Sequence, residues 1–167
     1  MNVEKPEVII GELLRQRGWR LAVAESCTGG LIGHRITDVP GSSTYYMGSV
    51  ISYAYDAKVR LLGVKWDTLN AHGAVSEAVI AEMASGVRRV LAADIGLAVS
   101  GIAGPTGGTE DKPVGLTWIG FSTPFFDQAV HFVFDGNRLE NKASAADAAL
   151  QLLIEFLEKE KDGSRRS

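Results

Sequence analysis

AVAESCTGGLIG, residues 22–33, decides how the rest of the chain is read. Small apolar residues lead into Glu25-Ser26-Cys27-Thr28, two glycines follow, and an apolar run resumes. A short buried strand handing over through a tight loop to a helix has this pattern. Ser26 or Thr28 is expected to stand at the helix N-cap, and "GGLIGHRITDV" reads as helical until Pro40-Gly41-Ser42-Ser43 breaks it.

Working outward, residues 6–18 place Val8, Ile9, Leu13 and Leu14 at helical spacing before a stop at Gly18. Downstream, "TYYMGSVISYA" is β-branched and aromatic and predicts a strand, and "DAKVRLLGV" a short helix ending at Gly63. "SEAVIAEMASGVRRVLAA" is the clearest helix, capped by Ser76 with a stripe of Val79, Ile80, Met83, Val87, Val90 and Leu91. "DIGLAVSG" reads as a buried strand and "IAGPTGGTEDKP" as a loop. "VGLTWIGF" and "QAVHFVF" form a neighbouring pair of strands joined by a turn containing Pro124 and Asp127, and "NKASAADAALQLLIEFLEKE" is a long amphipathic helix. Strands alternating with helices imply an α/β protein: a single-domain three-layer α/β/α sandwich on a mixed, mostly parallel sheet. The domain is expected to take in residues 1–167, with its core over about 6–157 and a frayed tail at 158–167.

Composition narrows the classes. At 167 residues the chain suits one domain with a substantial core. A net charge of −3 gives no basic face for nucleic acid. One cysteine, Cys27, rules out an internal disulfide framework and fits a reducing compartment. The N-terminus lacks a signal-peptide pattern, and no apolar run approaches the roughly 20 residues of a membrane helix. A cytoplasmic protein with neither membrane nor nucleic-acid partner is expected. The apolar C-terminal helix and the exposed-looking tyrosines elsewhere in the chain predict a homo-oligomer, a dimer or higher.

In open α/β sheets ligands bind beyond the strand C-termini. Two glycine-rich loops occupy that place, "ESCTGG" and "SGIAGPTGG", and together they suit a phosphate or an oxyanion. Neither matches a nucleotide-binding fingerprint, and no metal-ligand spacing occurs, so neither a metal nor another cofactor is expected. Ser26 and Cys27 are adjacent candidate nucleophiles. A cysteine there is usually a small buried hydrophobe, and His34, His72 and His131 sit in an apparent helix, a turn and a strand, each poorly placed to serve as its base. A lysine whose pKa is lowered by burial can replace histidine, and Lys58 follows closely on Tyr53 and Tyr55 at a strand end. The residues alone permit a Ser–Lys pair and do not single it out, since most lysines on short helices are solvated.

"AESCTGGLIGHRITDVPGSS", "AKVRLLGV", "HGAVSE", "DIGLAVSGIAGPTGGTEDKPVG" and "FDGNR" together closely resemble the nicotinamide-nucleotide amidase family, the C-terminal domain of competence/damage-inducible CinA proteins, which also occurs as a stand-alone enzyme. The resemblance runs in order over residues 6–157. It implies hydrolysis of the carboxamide of nicotinamide mononucleotide, in pyridine nucleotide salvage, to nicotinic acid mononucleotide and ammonia, without a metal. It implies Ser26 as nucleophile, Lys58 as base and Tyr53 as their hydrogen-bonding neighbour. Backbone N–H groups near Thr28, Gly29 and Gly30 would hold the oxyanion. Ser100, Gly101, Gly104 and Thr106 would line the opposite wall, and Arg138 would hold the substrate phosphate. Glu25 is expected to be a structural acceptor at the loop. Two departures stand out: "YDAK" where the family more often has a pair such as "NEAK", and "GNR" for "GDR", which removes a carboxylate beside Arg138. The alternatives are a non-catalytic nucleotide-binding regulatory module of the same fold and, last, a partner-binding domain acting in DNA uptake.

Overall fold

In the computed structural model, residues 4–163 are described. Helix α1 (Pro6–Arg17) leads into β1 (Leu21–Glu25), α2 (Leu31–Thr37), a 3₁₀ turn (Ser42–Thr44) and β2 (Tyr46–Ile51). Helices α3 (Tyr55–Leu62), α4 (Trp66–His72) and α5 (Glu77–Val90) follow, then β3 (Ile95–Gly101), the hairpin β4 (Leu116–Ser122) and β5 (Asp127–Val133), and α6 (Arg138–Gly163). The strand order is β2-β1-β3-β4-β5. Strands β2, β1 and β3 pair in parallel, whereas β3–β4 and β4–β5 are antiparallel. The sheet is therefore mixed, with β4 alone running against the other strands.

Strand β1 shows how two faces are built from one alternation. Leu21 and Val23 point into a cluster with Ile10, Leu14, Ile32, Leu150 and Leu153, which belong to α1, α2 and α6. Ala22 and Ala24 point the other way, onto Ile80, Met83 and Val87 of α5, with Leu62 and Leu69 beside them. Helices on both faces make the three layers. The alanines let α5 come close, and glycines bring it closer. A Cβ on Gly86 would fall well inside contact distance of the Leu62 carbonyl, and one on Gly96 would do the same to the Ala84 carbonyl. Neither obstacle is a side chain that can swing away. Gly86→Ala is expected to cost about 3 kcal/mol, read as a lowered urea midpoint at unchanged m-value. A midpoint equal to the wild type's would show that α5 does not pack as tightly as this.

Several local expectations are corrected. Neither Ser26 nor Thr28 caps α2: Gly30 holds that position with φ 108°, and the first-turn N–H groups go elsewhere, as described below. His72, expected in a turn, is instead the last residue of α4, which buries only Leu69. Asp127 opens β5, so the hairpin turn is made by residues 123–126, where Thr123 Oγ1 accepts from the N–H groups of Phe125 and Phe126. Helix α6 begins at Arg138 and continues through Gly163, so the tail expected from residue 158 is helical to 163, and residues 164–167 lie outside the described residues. Ser76 does cap α5, accepting from the Val79 N–H. No helix among the described residues is long and apolar enough to cross a membrane.

Candidate functional site

Two ladders run past the ends of their strands and place Ser26. The Ser26 N–H donates to the Val99 carbonyl at 3.0 Å, and the Ser52 N–H to the Glu25 carbonyl at 2.9 Å. Ser26 thus sits between β3 and the end of β2. The chain then turns through Tyr53-Ala54 into α3, whose first turn carries Lys58 back over the strand ends. Lys58 Nζ lies 2.9 Å from Ser26 Oγ, 2.6 Å from the Ser52 carbonyl oxygen and 3.0 Å from the Tyr53 carbonyl oxygen. The side chain is 1% exposed, and burial pushes its pKa down to about 8.

Donor counting gives this arrangement its chemistry. A neutral lysine amine has two N–H groups and one lone pair. The two carbonyls take both N–H groups, which leaves the lone pair for the Ser26 hydroxyl proton. Once protonated, the ammonium has three donors for the same three partners. Proton transfer from serine to lysine therefore needs no rearrangement around the nitrogen. Cys27, next in sequence, is buried in the core cluster, and burial pushes its thiol up to about 11. It stays protonated at neutral pH and is no competing nucleophile.

Glu25 organises the loop that follows. Its carboxylate is fully buried and accepts from Thr28 Oγ1 at 2.7 Å, the Ile32 N–H at 2.9 Å and the Gly33 N–H at 3.1 Å. The acceptor that closes α2 is thus a carboxylate from the preceding strand, the structural role expected of it. Gly29 and Gly30 take φ of 59° and 108°, which only glycine adopts at low cost. The Gly29 N–H, expected among the oxyanion donors, already donates to the Ser26 carbonyl. Among the described hydrogen bonds, the N–H groups of Cys27, Thr28 and Gly30 have no acceptor, and these are the donors left for an oxyanion.

The opposite wall is only partly assembled. A Cβ on Gly101 would meet Cys27 Sγ at 3.2 Å, so this glycine lies beside the loop. Ser100 Oγ is turned away, donating to the Ala74 carbonyl, and exposed Thr106 has no hydrogen bond to the Ser–Lys pair. Tyr53 touches Lys58 through its carbonyl alone. Its hydroxyl, expected to bond the Ser–Lys pair, accepts instead from Arg138 Nη2 at 3.0 Å. Arg138 Nη1 donates to the Gly104 carbonyl at 2.7 Å. One tyrosine thus spans the distance between the buried amine and the exposed guanidinium, with an open groove of about 520 Å³ lined by Ala103, Pro105, Val114 and Leu139 running past Arg138.

Both departures in the motifs find structural accounts. Asn137 accepts from the Glu140 N–H at 3.0 Å and Glu140 Oε2 accepts from the Asn137 N–H at 2.8 Å, a reciprocal cap for α6. Asparagine caps as well as aspartate, so "GNR" keeps this job. In "YDAK", Asp56 pairs with Arg60 on the exposed face of α3, while the Tyr55 hydroxyl accepts from the Ala74 N–H. The "NRLE" spacing could have revealed the cap in the sequence. Two further groups were not foreseen: the Ser52 carbonyl, which no side-chain pattern announces, and Lys142, whose ammonium stands next to Gly29. Among the described residues, no group of three or more His, Cys, Asp or Glu is placed to hold a metal ion.

Comparison with known proteins identifies the family. The family model for the CinA C-terminal domain matches residues 3–157. A CinA-like protein of Salinibacter ruber is 51% identical over 145 residues, 87% of this chain and 35% of that protein. A CinA-like protein of Chlorobaculum tepidum is 48% identical over 160 residues, 92% of this chain and 38% of its own length. The chain therefore spans little more than a third of the length of these relatives. Among solved structures, a CinA superfamily protein from Klebsiella pneumoniae superposes with a TM-score of 0.88 at 33% identity, covering 93% of this chain and 99% of that one. A competence/damage-inducible protein from Agrobacterium tumefaciens gives 0.83 at 34% identity, covering 95% and 99%.

Proposed function

The chain belongs to the CinA C-terminal domain family, and from that premise we propose that it is an amidase converting nicotinamide mononucleotide to nicotinic acid mononucleotide and ammonia. The observation that carries the proposal is the buried Lys58 amine, with a pKa near 8, held 2.9 Å from Ser26 Oγ by two carbonyl acceptors. Ser26 Oγ attacks the carboxamide carbon while its proton passes to the Lys58 lone pair. The oxyanion forms against the unoccupied N–H groups of the 27–30 loop. Lys58 then returns the proton to the departing nitrogen, ammonia leaves, and an acyl-serine remains. Water, deprotonated by the same amine, releases the acid and restores Ser26. Arg138, one tyrosine away, supplies a fork for the phosphate at the far end of the substrate.

Ammonia release from nicotinamide mononucleotide, measured with EDTA present, tests this. Wild-type turnover is expected, and Ser26→Ala should lower it by on the order of 10⁴-fold or more. Turnover that survives Ser26→Ala would remove the serine from the mechanism. Binding of the nucleotide without any ammonia release would assign a nucleotide-binding module instead.

A further inference from the structure

We infer that Tyr55 and Ser100 are positioning residues for the Ser26–Lys58 pair. From α3 and β3 they grip the two main-chain groups of Ala74, and this link holds the helix that carries the amine against the strands that carry the hydroxyl. The role in turnover rests on the amidase reading above; the effect on the pair itself does not.

The amine needs such a hold. The two carbonyls around Lys58 Nζ belong to Ser52 and Tyr53, a few residues before it, so they fix the amine to its own segment rather than to Ser26. That segment leaves the sheet at Ser52, whose N–H donates to the Glu25 carbonyl. The far end of α3 is seated by Leu62 in the core, with Arg89 of α5 donating to the Leu62 carbonyl. Its near end is gripped at Tyr55. The Tyr55 hydroxyl accepts from the Ala74 N–H at 3.2 Å, and the Ala74 carbonyl accepts from Ser100 Oγ at 3.0 Å. Ser100 follows Val99, whose carbonyl receives the Ser26 N–H. A closed circuit results: Ser26 to β3, β3 to Ala74, Ala74 to α3, and Lys58 back to Ser26 at 2.9 Å.

Ala74 is a fixed point because its own segment is stiff. The carbonyls of His72, Gly73 and Ala74 accept in turn from Lys112 Nζ, Ser76 Oγ and Ser100 Oγ. A Cβ on Gly73 would lie 3.8 Å from the Tyr55 hydroxyl, so the phenol sits close over this backbone, and its ring leans on Trp66. Tyr55 stands where the family pattern more often has asparagine, which makes the outer grip a feature of this chain. Around the amine little else can move its titration. Cys27 faces it from the loop and stays protonated up to about 11, the Glu25 carboxylate is turned into α2, and Asp56 and Arg60 pair on the outer face of α3. Burial keeps the Lys58 pKa low. A helix start that swings outward admits water, and a hydrated amine regains its proton.

The experiment reads Ser26 with 4-nitrophenyl acetate, a small acylating probe that needs no nucleotide site, with Ser26→Ala as the blank. Wild-type acylation should be half-maximal near pH 8. Tyr55→Phe and Ser100→Ala should each slow it about tenfold at pH 7, the effect of one hydrogen bond, and move the half-maximum to higher pH. Because the two grips lie in series, the double variant should be no slower than the slower single one. On nicotinamide mononucleotide, kcat should fall with KM unchanged. Ser100 is buried, so Tyr55→Phe decides if Ser100→Ala does not fold. A merely structural role would lower the urea midpoint and leave the pH profile in place. That outcome, or losses that multiply in the double variant, would overturn the proposal. So would wild-type acylation that is absent or independent of Ser26. Ser26-dependent acylation without ammonia release would end the amidase reading and leave the pH profiles to decide the two grips.

Discussion

Lys58→Met is expected to lower amide hydrolysis on the order of 10⁴-fold, because it removes the base while keeping most of the side-chain volume. The wild-type pH profile should show why. With a pKa of about 8, roughly a tenth of Lys58 is neutral at pH 7, so the rate should rise about tenfold per pH unit below 8 and level off above it. Stability carries the same signature. The unfolded chain keeps its lysine proton up to about 10.5, whereas the folded protein releases it near 8. Between those values the unfolded state binds more protons, so the stability of the wild type relative to Lys58→Met should climb with pH by about 3 kcal/mol. Cys27 titrates in both proteins, and its charge coupling to Lys58 leaves only a smaller remainder in the difference. A rate independent of pH between 6 and 9, or a stability difference that stays flat from 8 to 10.5, would show that the amine is not held neutral by the fold.

What the sequence revealed and what it concealed follow from the range of the interactions involved. The β1–loop–α2 passage and α5 were legible because alternation and the 3.6-residue stripe are local and strong. Helix α4 was not, since a seven-residue segment that buries one leucine leaves almost no periodic trace. At the site, Ser26 and Lys58 became a pair through family resemblance, because nothing in their spacing of 32 residues says that β2 returns beside β1. Tyr53 was expected to reach the Ser–Lys pair through its phenol, whereas its carbonyl contacts Lys58 and its hydroxyl contacts Arg138. Residue patterns describe side chains, and the two acceptors that hold the Lys58 amine beside Ser26 are main-chain oxygens. The cap of α2 failed for a related reason. The local rule offers the nearest hydroxyl, but a buried carboxylate seven and eight residues earlier has two oxygens, full charge and no competing water.

That carboxylate carries the second large effect. Glu25 Oε1 accepts from both Thr28 Oγ1 and the Ile32 N–H, and Oε2 from the Gly33 N–H. In Glu25→Gln one of these oxygens becomes an amide NH2, so a donor faces a donor inside the protein. The backbone cannot retreat easily: a Cβ at Gly33 would lie 2.5 Å from the Tyr46 hydroxyl and 2.8 Å from Ser49 Oγ, so α2 already sits tight against β2. The expected loss is about 2–3 kcal/mol, seen as a lowered urea midpoint at constant m-value. Thr28→Val in the same background separates the contributions. Thr28 Oγ1 donates only to Glu25, so the two substitutions should couple by about 1 kcal/mol or more. Activity should fall alongside stability, since the same carboxylate holds the loop that follows Ser26. Glu25→Gln unfolding at the wild-type midpoint, or strict additivity with Thr28→Val, would mean that the loop is shaped by its glycines alone and that the carboxylate beneath it is a passenger.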